Sequence, residues 1–371
     1  MRSNTKKKLA FFGIKGLPSK GGAERVVEAI VNNLSKEYDI YVYCSHSYSK
    51  DYKGKNIKLI RLRNLKGKHL FSLSLSLLST IHALLFKNYD LVHVHNTDVG
   101  YIIPLLRLKY KVIATSHGFP YKREKWNKLT KKLLKISENI FFQFSSFTTC
   151  VSKTITKEIN NKYKRNTQFI PNGIDKPNYL EDSLIFKKYE LKKNDYICFA
   201  AGRIDPTKGC HILLEAIKNI DNKINVIVIG DFSHKPDYTQ KLYQMADEKV
   251  TFIPFIENKE TLFGIIKNAK LFIFPSSVEA MSIMLLEVAA LGLPIVCSDI
   301  PENVSVMEGN TIYFKSEDDK ELTEKIEFCL NNYEEILKKT EKTKKWVLKK
   351  YKWKSICDEY KEIYDSFISS H

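Results

Sequence analysis

KLFIFPSSVEAMSIMLLEVAALGLPIVCSD (residues 270–299) reads in order as strand, loop, helix and strand. KLFIFPS (270–276) and PIVCSD (294–299) are short apolar runs of the length a buried strand takes, and the segment between them is long and apolar enough for a helix. Two strands with a crossover helix form a βαβ unit, whose strands pair in parallel. Working back from this unit, YICFAAG (196–202), NVIVIGD (225–231) and VTFIPF (250–255) repeat the strand pattern with helical stretches between them. The same plan fills the first half: KLAFFGI (8–14), DIYVYC (39–44), IKLIRL (57–62), DLVHVHN (90–96), KVIATSHG (111–118), FTTCVS (147–152) and TQFIPNG (167–173). Helices are expected over Ala23–Lys36 and over Leu70–Phe86, the latter as a buried crossover helix. Between the two series, residues 174–195 mix Pro, Asn and charges with no long apolar run and read as a linker. From about Asp318 to the end the pattern is helical and charged, closing on WKSICDEYKEIYDSFI with apolar residues three to four apart. The fold class is α/β, with two doubly wound parallel-sheet domains in tandem and a terminal helix. Such sheets bind ligands at the carboxyl ends of their strands, so a cleft between the domains is expected.

The chain has 371 residues with 43% hydrophobic and 12% aromatic content, enough to bury two cores and too much for general disorder. Its charge is lopsided. Residues 1–180 hold 33 Lys+Arg against 11 Asp+Glu, whereas the remaining 191 hold 27 against 31. The first half is therefore expected to meet something anionic. Seven dispersed cysteines without a CxxC pair indicate thiols in a reducing compartment. MRSNTKKK leads into a short apolar run that stops at a Gly without a cleavage site, and no run of about eighteen apolar residues qualifies as a span. The expected location is cytoplasmic, at most peripheral on a membrane.

Four places at strand ends carry residues suited to chemistry. GIKGLPSKGGAE (13–24) follows the first strand and opens a helix; Gly21 and Gly22 let the backbone approach a ligand at a helix N-terminus that favours an anion. It lacks the GxGxxG spacing of a dinucleotide site, and an ordinary strand–helix turn would look the same. GRIDPTKG (202–209) places Arg203 and Lys208 on a turn before a helix, which suits a diphosphate or, more blandly, a solvated surface turn. In SSVEAMSIMLLEVAALGLP (276–294), Glu279 is expected in the loop and Glu287 just inside the helix. Paired carboxylates accept from sugar hydroxyls, while a capped helix with an acid in each turn is the plain alternative. His117, at the end of a strand in SHGFP, and Asn172, in IPNGID, are ligand contacts or satisfied structural residues.

Taken in order, GGAE, SHG, PNGID, GRIDPTKG and PSSVEAMSIMLLEVAALGLPIVCSD closely resemble the family 4 retaining glycosyltransferases of the two-Rossmann GT-B fold. GIKGLPSKGG with HGFPYKREKW also resembles a subgroup that includes rhamnosyltransferases of surface polysaccharides. The resemblance covers nearly the whole chain. It implies an N-terminal acceptor domain over 1–175, joined by the C-terminal helix from about 353 to 371, a linker over 176–195, and a nucleotide-sugar donor domain over 196–352. It further implies that Gly22 offers its backbone N–H to the donor's distal phosphate and that Arg203 and Lys208 neutralise the diphosphate leaving group. Glu287 would accept from the ribose hydroxyls, and Glu279 from the transferred sugar. The backbone of Met281, Ser282 and Ile283 would lie near phosphate and sugar, His117 beside the hexose, and Asn172 at the edge of the cleft. Ala280 departs from the pattern, where Gly usually follows the first Glu, and an altered donor fit is expected.

The reaction so implied moves a hexosyl or deoxyhexosyl group from a nucleoside-diphosphate sugar to a lipid-linked or growing glycan acceptor in surface-polysaccharide assembly. The chain has no Asp-x-Asp, and with two cations available neither a metal nor another cofactor is expected. In KREKWNKLTKKLLK (122–135), Lys122, Arg123, Lys125, Lys128, Lys131 and Lys132 alternate with Trp126 and leucines. That pattern suits an interfacial helix on anionic lipid or, failing that, a solvated face. Two competing functions are a sugar-nucleotide epimerase on the same fold and a basic nucleic-acid-binding protein. The second lacks any recognition-helix or aromatic-basic sheet motif, so nucleic acid is not an expected partner.

Overall fold

The computed structural model describes residues 6–49, 52, 56–65, 67, 70–122, 126–220 and 224–369. They divide into two compact units, residues 1–173 with 353–371, and residues 174–352.

In the first unit the chain runs β1 (Lys8–Phe12), α1 (Gly22–Leu34), β2 (Asp39–Ser45), β3 (Ile57–Leu62), α2 (Leu70–Phe86) and β4 (Leu91–His95). A 3-10 turn, Thr97–Ile102, then leads into α3 (Ile103–Leu106), followed by β5 (Val112–Ser116), α4 (Lys128–Phe144), β6 (Phe147–Cys150), α5 (Lys153–Tyr163) and β7 (Gln168–Phe169). The seven strands form one parallel sheet in the order β3-β2-β1-β4-β5-β6-β7. Central strands β1, β4 and β5 are buried almost from end to end because both of their faces are covered. Helix α1 buries Val26, Val27, Ile30, Val31 and Leu34, one stripe at the helical period.

The second unit contains α6 (Ser183–Lys188), β8 (Tyr196–Ala201), α7 (Cys210–Lys218), β9 (Asn225–Gly230), α8 (Pro236–Met245), β10 (Val250–Pro254), α9 (Lys259–Lys267) and β11 (Leu271–Phe274). It continues with α10 (Ile283–Leu291), β12 (Ile295–Ser298), α11 (Pro301–Met307), β13 (Ile312–Phe314), α12 (Asp319–Asn331) and α13 (Tyr333–Lys350). Six parallel strands follow the order β10-β9-β8-β11-β12-β13. Helix α10 is apolar apart from Glu287 and almost wholly buried, packed against α9 and α13, and the Thr340 hydroxyl of α13 donates to Gly292 O. Gly292 ends it in the left-handed conformation that glycine adopts without strain.

A last helix, α14 (Trp353–Ser369), packs in the first unit against α1 and β4. Tyr38 donates to Asp365, and Lys111 Nζ reaches Phe367 O at 2.9 Å.

Three sequence expectations need correction. The segment read as a linker belongs to the second unit: it forms α6, the Leu180 N–H donates to Glu260 O, and the Asn194 N–H donates to Asn268 O. Strand β13 was not anticipated, because TIYF is flanked by polar residues and supplies only three strand positions. Helix α2 is a crossover helix, but it is buried on one side only: Leu75, Ser76, Ser79, Thr80 and Ala83 are buried, while Leu70, Leu73, Leu78, Ile81, Leu85 and Phe86 are exposed. All seven cysteines are buried thiols, and burial pushes Cys150 up to about 11, away from reactivity.

Candidate active site

In the second unit, the turn after β8 and the loop after β11 are built against each other. Asp205 caps the turn by accepting from the Thr207 N–H, and the Ser277 N–H donates to Thr207 O at 2.9 Å. Gly209 closes the turn at φ +72, and a Cβ there would fall 2.1 Å from Pro275 O, so only glycine fits. This packing brings Lys208 Nζ to 2.5 Å from Glu279 Oε1, with both side chains mostly shielded from water. Glu279 lies in the loop, as the sequence pattern placed it, whereas Glu287 stands in the middle of α10 rather than just inside it. Ser282 caps α10 by accepting from the Leu285 N–H, Met281 is buried, and Ile283 begins the helix.

Glu287 is buried and pairs at 3.0 Å with Lys259, the first residue of α9. Sequence reasoning missed Lys259. Its signal was faint: one lysine among many, although Asn258 before it is an N-cap and fixes it on a helix. Arg203 is exposed and close enough to Asp231 to act on its carboxyl. A hydrogen bond from Ser233 is the largest cause holding the Asp231 carboxyl below its usual range, and Arg203 adds to it.

In the first unit, Gly21 is the N-cap of α1 and Gly22 its first residue, with no side chain capping the helix. Gly21 has ordinary extended backbone, and a Cβ on Gly22 would meet nothing within 4 Å. What glycine contributes here is access to the amides rather than an unusual conformation.

His117 follows β5 and lies beside His95 at the end of β4, their ring nitrogens Nε2 and Nδ1 being 3.0 Å apart. His95 is fully buried, and its Nε2 has no partner among the described residues. Two positions earlier on the same face, His93 bonds Tyr364 of α14 and Thr115 of β5. Burial pulls His117 down to about 4 and, with some repulsion from His117, His93 to about 3; burial likewise lowers His95 strongly. All three are therefore neutral near pH 7. The alternation in DLVHVHN already placed His93 and His95 on one face, a signal the sequence reading left unused.

A cavity of about 100 Å³ opens beside these strand ends, lined among others by Lys15, Glu24, Ser72, Ser76, Asp98 and Asn96. Asn96 donates to Gly13 O, tying β4 to the loop after β1. Asn172 is buried, and Trp353 of α14 occupies the space a side chain on the adjacent Gly173 would need. In the basic segment, Arg123, Lys125 and the Lys122 side chain lie outside the described residues. Trp126 is half-buried, Lys128 and Lys132 are exposed, and Lys131 is half-exposed on α4. Among the described residues no group of three or more His, Cys, Asp or Glu is spaced to hold a metal ion.

Comparison with known proteins assigns the two halves. Residues 20–176 match the model described as Glycosyltransferase Family 4, and residues 181–347 match that of Glycosyl transferases group 1. A relative from Escherichia coli is the UDP-Gal:alpha-D-GlcNAc-diphosphoundecaprenol alpha-1,3-galactosyltransferase, 25% identical over 86% of this chain and 85% of that one. The capsular polysaccharide biosynthesis glycosyltransferase CapH of Staphylococcus aureus is 26% identical over 80% of this chain and 82% of its own. Among solved structures, sucrose-phosphate synthase from Thermosynechococcus elongatus superposes with a TM-score of 0.83 at 16% identity, covering 99% of this chain and 100% of that one. That likeness carries the fold. The paired parallel sheets are the GT-B fold, and the chain belongs to the family 4 glycosyltransferases.

Proposed function

We propose that this glycosyltransferase moves a hexosyl or deoxyhexosyl group from a nucleoside-diphosphate sugar to a lipid-linked or growing glycan, with retention of configuration. The observation that carries the reading is the Lys208–Glu279 pair, held on two interlocked loops at the carboxyl ends of β8 and β11. One member is a cation for a departing phosphate and the other a carboxylate for sugar hydroxyls, so the pair suits the junction of a sugar diphosphate. As the glycosidic bond to phosphate breaks, negative charge grows on the leaving oxygen and positive charge on the sugar carbon. Lys208, with Arg203 from the same turn, stabilises the first more in the transition state than in the ground state. These two cations do the electrostatic work at the phosphate, and no metal or other cofactor is part of the proposal. Glu287 receives the ribose hydroxyls, and Met281, Ser282 and Ile283 supply amides at the head of α10. The α1 N-terminus at Gly21 and Gly22 receives the distal phosphate, and His117 and Asn172 border the sugar. The acceptor enters from the first unit, where Glu24, Asp98 and Lys15 line the cavity. Same-face attack, with the leaving phosphate taking the acceptor proton, gives retention.

The named donor and acceptor of the Escherichia coli relative, a UDP sugar and a diphosphoundecaprenol glycan, support the substrate classes. The protein would work at the inner face of the cytoplasmic membrane, with the cations of α4 against the lipid. The test is a melting screen with UDP, GDP, dTDP and CDP, with and without magnesium, followed by product analysis with the sugar nucleotide of the stabilising base. A ligand that binds only the folded state raises the melting temperature. Transfer of sugar to a lipid-linked glycan with its anomeric configuration kept is the expected result. Stabilisation without transfer or hydrolysis would remove the reading, and conversion of the donor to an isomeric sugar nucleotide without acceptor would replace it by an epimerase.

A further inference from the structure

The three histidines at the ends of β4 and β5 form a row from the core to the surface: His93 and His95 are buried, and His117 is half-buried. His93 imposes nothing on its neighbours. Both of its ring nitrogens meet hydroxyls, Tyr364 and Thr115 at 2.7 Å each, and a hydroxyl donates or accepts as required. Either tautomer of His93 is therefore satisfied. His95 is different. Its Nδ1 meets another ring nitrogen, His117 Nε2, at 3.0 Å, and of two such nitrogens one must hold the proton and the other the lone pair. Its Nε2 is buried without a partner among the described residues. The ring packs among those of Phe11, His93 and His117, with centroids 6.1, 4.0 and 5.3 Å away. Phe11 has no lone pair, both nitrogens of His93 are taken, and His117 Nε2 is already bonded to Nδ1. None of the three can accept from His95 Nε2.

That asymmetry decides where the protons lie. Burial keeps both rings neutral near pH 7, so each carries one proton. Were His117 to donate from Nε2, His95 Nδ1 would be bare and its proton would sit on Nε2, an N–H in the core with no acceptor. Such groups are rare in folded proteins, because a buried donor that loses water and gains no partner carries the full cost of desolvation. In the reverse arrangement His95 Nδ1–H donates to His117 Nε2, and the unpartnered atom is a bare nitrogen, the milder of the two faults. The bond made by one ring nitrogen sets the state of the other. His117 then holds its proton on Nδ1, the one nitrogen left for a ligand.

We propose that His95 is a positioning residue: by donating from Nδ1 to His117 Nε2 it locks His117 in the Nδ1–H tautomer, so that His117 meets a ligand as a hydrogen-bond donor and never as a base. That the ligand is an oxygen of the transferred sugar rests on the proposed sugar transfer; the tautomer does not. An oxygen with a lone pair is accepted there, and an ammonium group, which can only donate, is refused. The test is nuclear magnetic resonance of the full chain carrying nitrogen-labelled histidine, near neutral pH and without ligand, with the His117 signals identified by their loss in His117→Gln. The shift of each ring nitrogen reports whether it holds the proton, and couplings to the ring C–H protons tell Nδ1 from Nε2. Wild type is expected to show the His117 proton on Nδ1. His95→Leu, which cannot donate, is expected to lose that fixed pattern, and His95→Asn, whose amide takes the place of Nδ1, to keep it. With the sugar nucleotide that the chain transfers, His95→Leu is expected to raise the donor KM about ten-fold, the effect of one hydrogen bond, and His95→Asn to restore it. A wild-type His117 proton on Nε2 would overturn the proposal, and this spectrum decides even if a His95 variant does not fold. So would a wild-type pattern that persists in His95→Leu, or a donor KM that His95→Leu leaves unchanged. Failure of the sugar-transfer reading shows separately, as absence of transfer by wild type, and does not alter the spectra.

Discussion

Lys208 Nζ lies 2.5 Å from Glu279 Oε1, so the cation proposed for the leaving phosphate and the carboxylate proposed for the sugar are in direct contact. With both side chains mostly shielded from water, each partner relies on the other to offset the cost of its burial.

The first prediction follows from that sharing. Lys208→Ala is expected to lower kcat/KM by roughly a hundred- to a thousand-fold, about 3–4 kcal/mol, through loss of charge at the leaving phosphate. Glu279→Ala is expected to lower it as well, and the double variant to cost less than the two single losses combined, because each single variant also strands the partner. Steady-state kinetics of the four proteins closes the cycle. Strict additivity would mean that the two residues act independently.

The second concerns Glu287, buried on α10 with the Lys259 ammonium 3.0 Å away. Lys259→Met removes the cation from a buried carboxylate, which is expected to cost about 1–3 kcal/mol of stability, read by urea denaturation. Glu287→Ala is expected to abolish the nucleotide-induced rise in melting temperature. A variant that keeps the full rise would take Glu287 out of the ribose site.

Much of this arrangement was legible from the sequence because the relevant signals are local. KLFIFPS and PIVCSD had the length and apolarity of strands, and Ser282 and Gly292 bound a helix at both ends. The Lys208–Glu279 pair was not legible. Both residues were singled out, but their contact depends on Gly209 fitting under Pro275 and on Ser277 bonding Thr207, contacts about seventy residues apart in sequence that periodicity does not encode. Likewise α2 was misread because periodicity shows that one face differs from the other, not which face turns inward. Serine hydroxyls bonded back to their own helix can be buried cheaply, and that option is invisible in a pattern of apolar and polar letters.

The third prediction contrasts two glycines. A methyl on Gly22 meets nothing within 4 Å, whereas one on Gly209 would collide with Pro275 O at 2.1 Å from a left-handed backbone. Gly22→Ala is expected to leave the melting temperature unchanged and to raise the donor KM, since the methyl stands where the distal phosphate approaches the helix N-terminus. Gly209→Ala is expected to lower the melting temperature and, by displacing the neighbouring Lys208, also kcat. Equal donor KM in wild type and Gly22→Ala would remove the α1 N-terminus from the site.

The last prediction uses the histidine row in the first unit. Burial holds His117 at about 4, His93 at about 3 and His95 well below the ordinary value, while in the unfolded chain all three titrate near 6.5. Between those limits the unfolded chain binds protons that the folded one refuses. Stability is therefore full above about pH 6.5 and is lost as pH falls toward 4, by at most about 1.4 kcal/mol per pH unit for each histidine. Urea midpoints measured from pH 8 to pH 4 are expected to be level at first and then to decline. The decline should be shallower in His117→Gln, whose amide can replace the bond to His95 without titrating. Because His117 is still neutral at pH 6.5, kcat/KM should have no limb there that His117→Gln removes. Such a limb would mean that the imidazole is protonated at its ordinary pKa and meets the sugar as a cation, the opposite of what its burial beside His95 dictates.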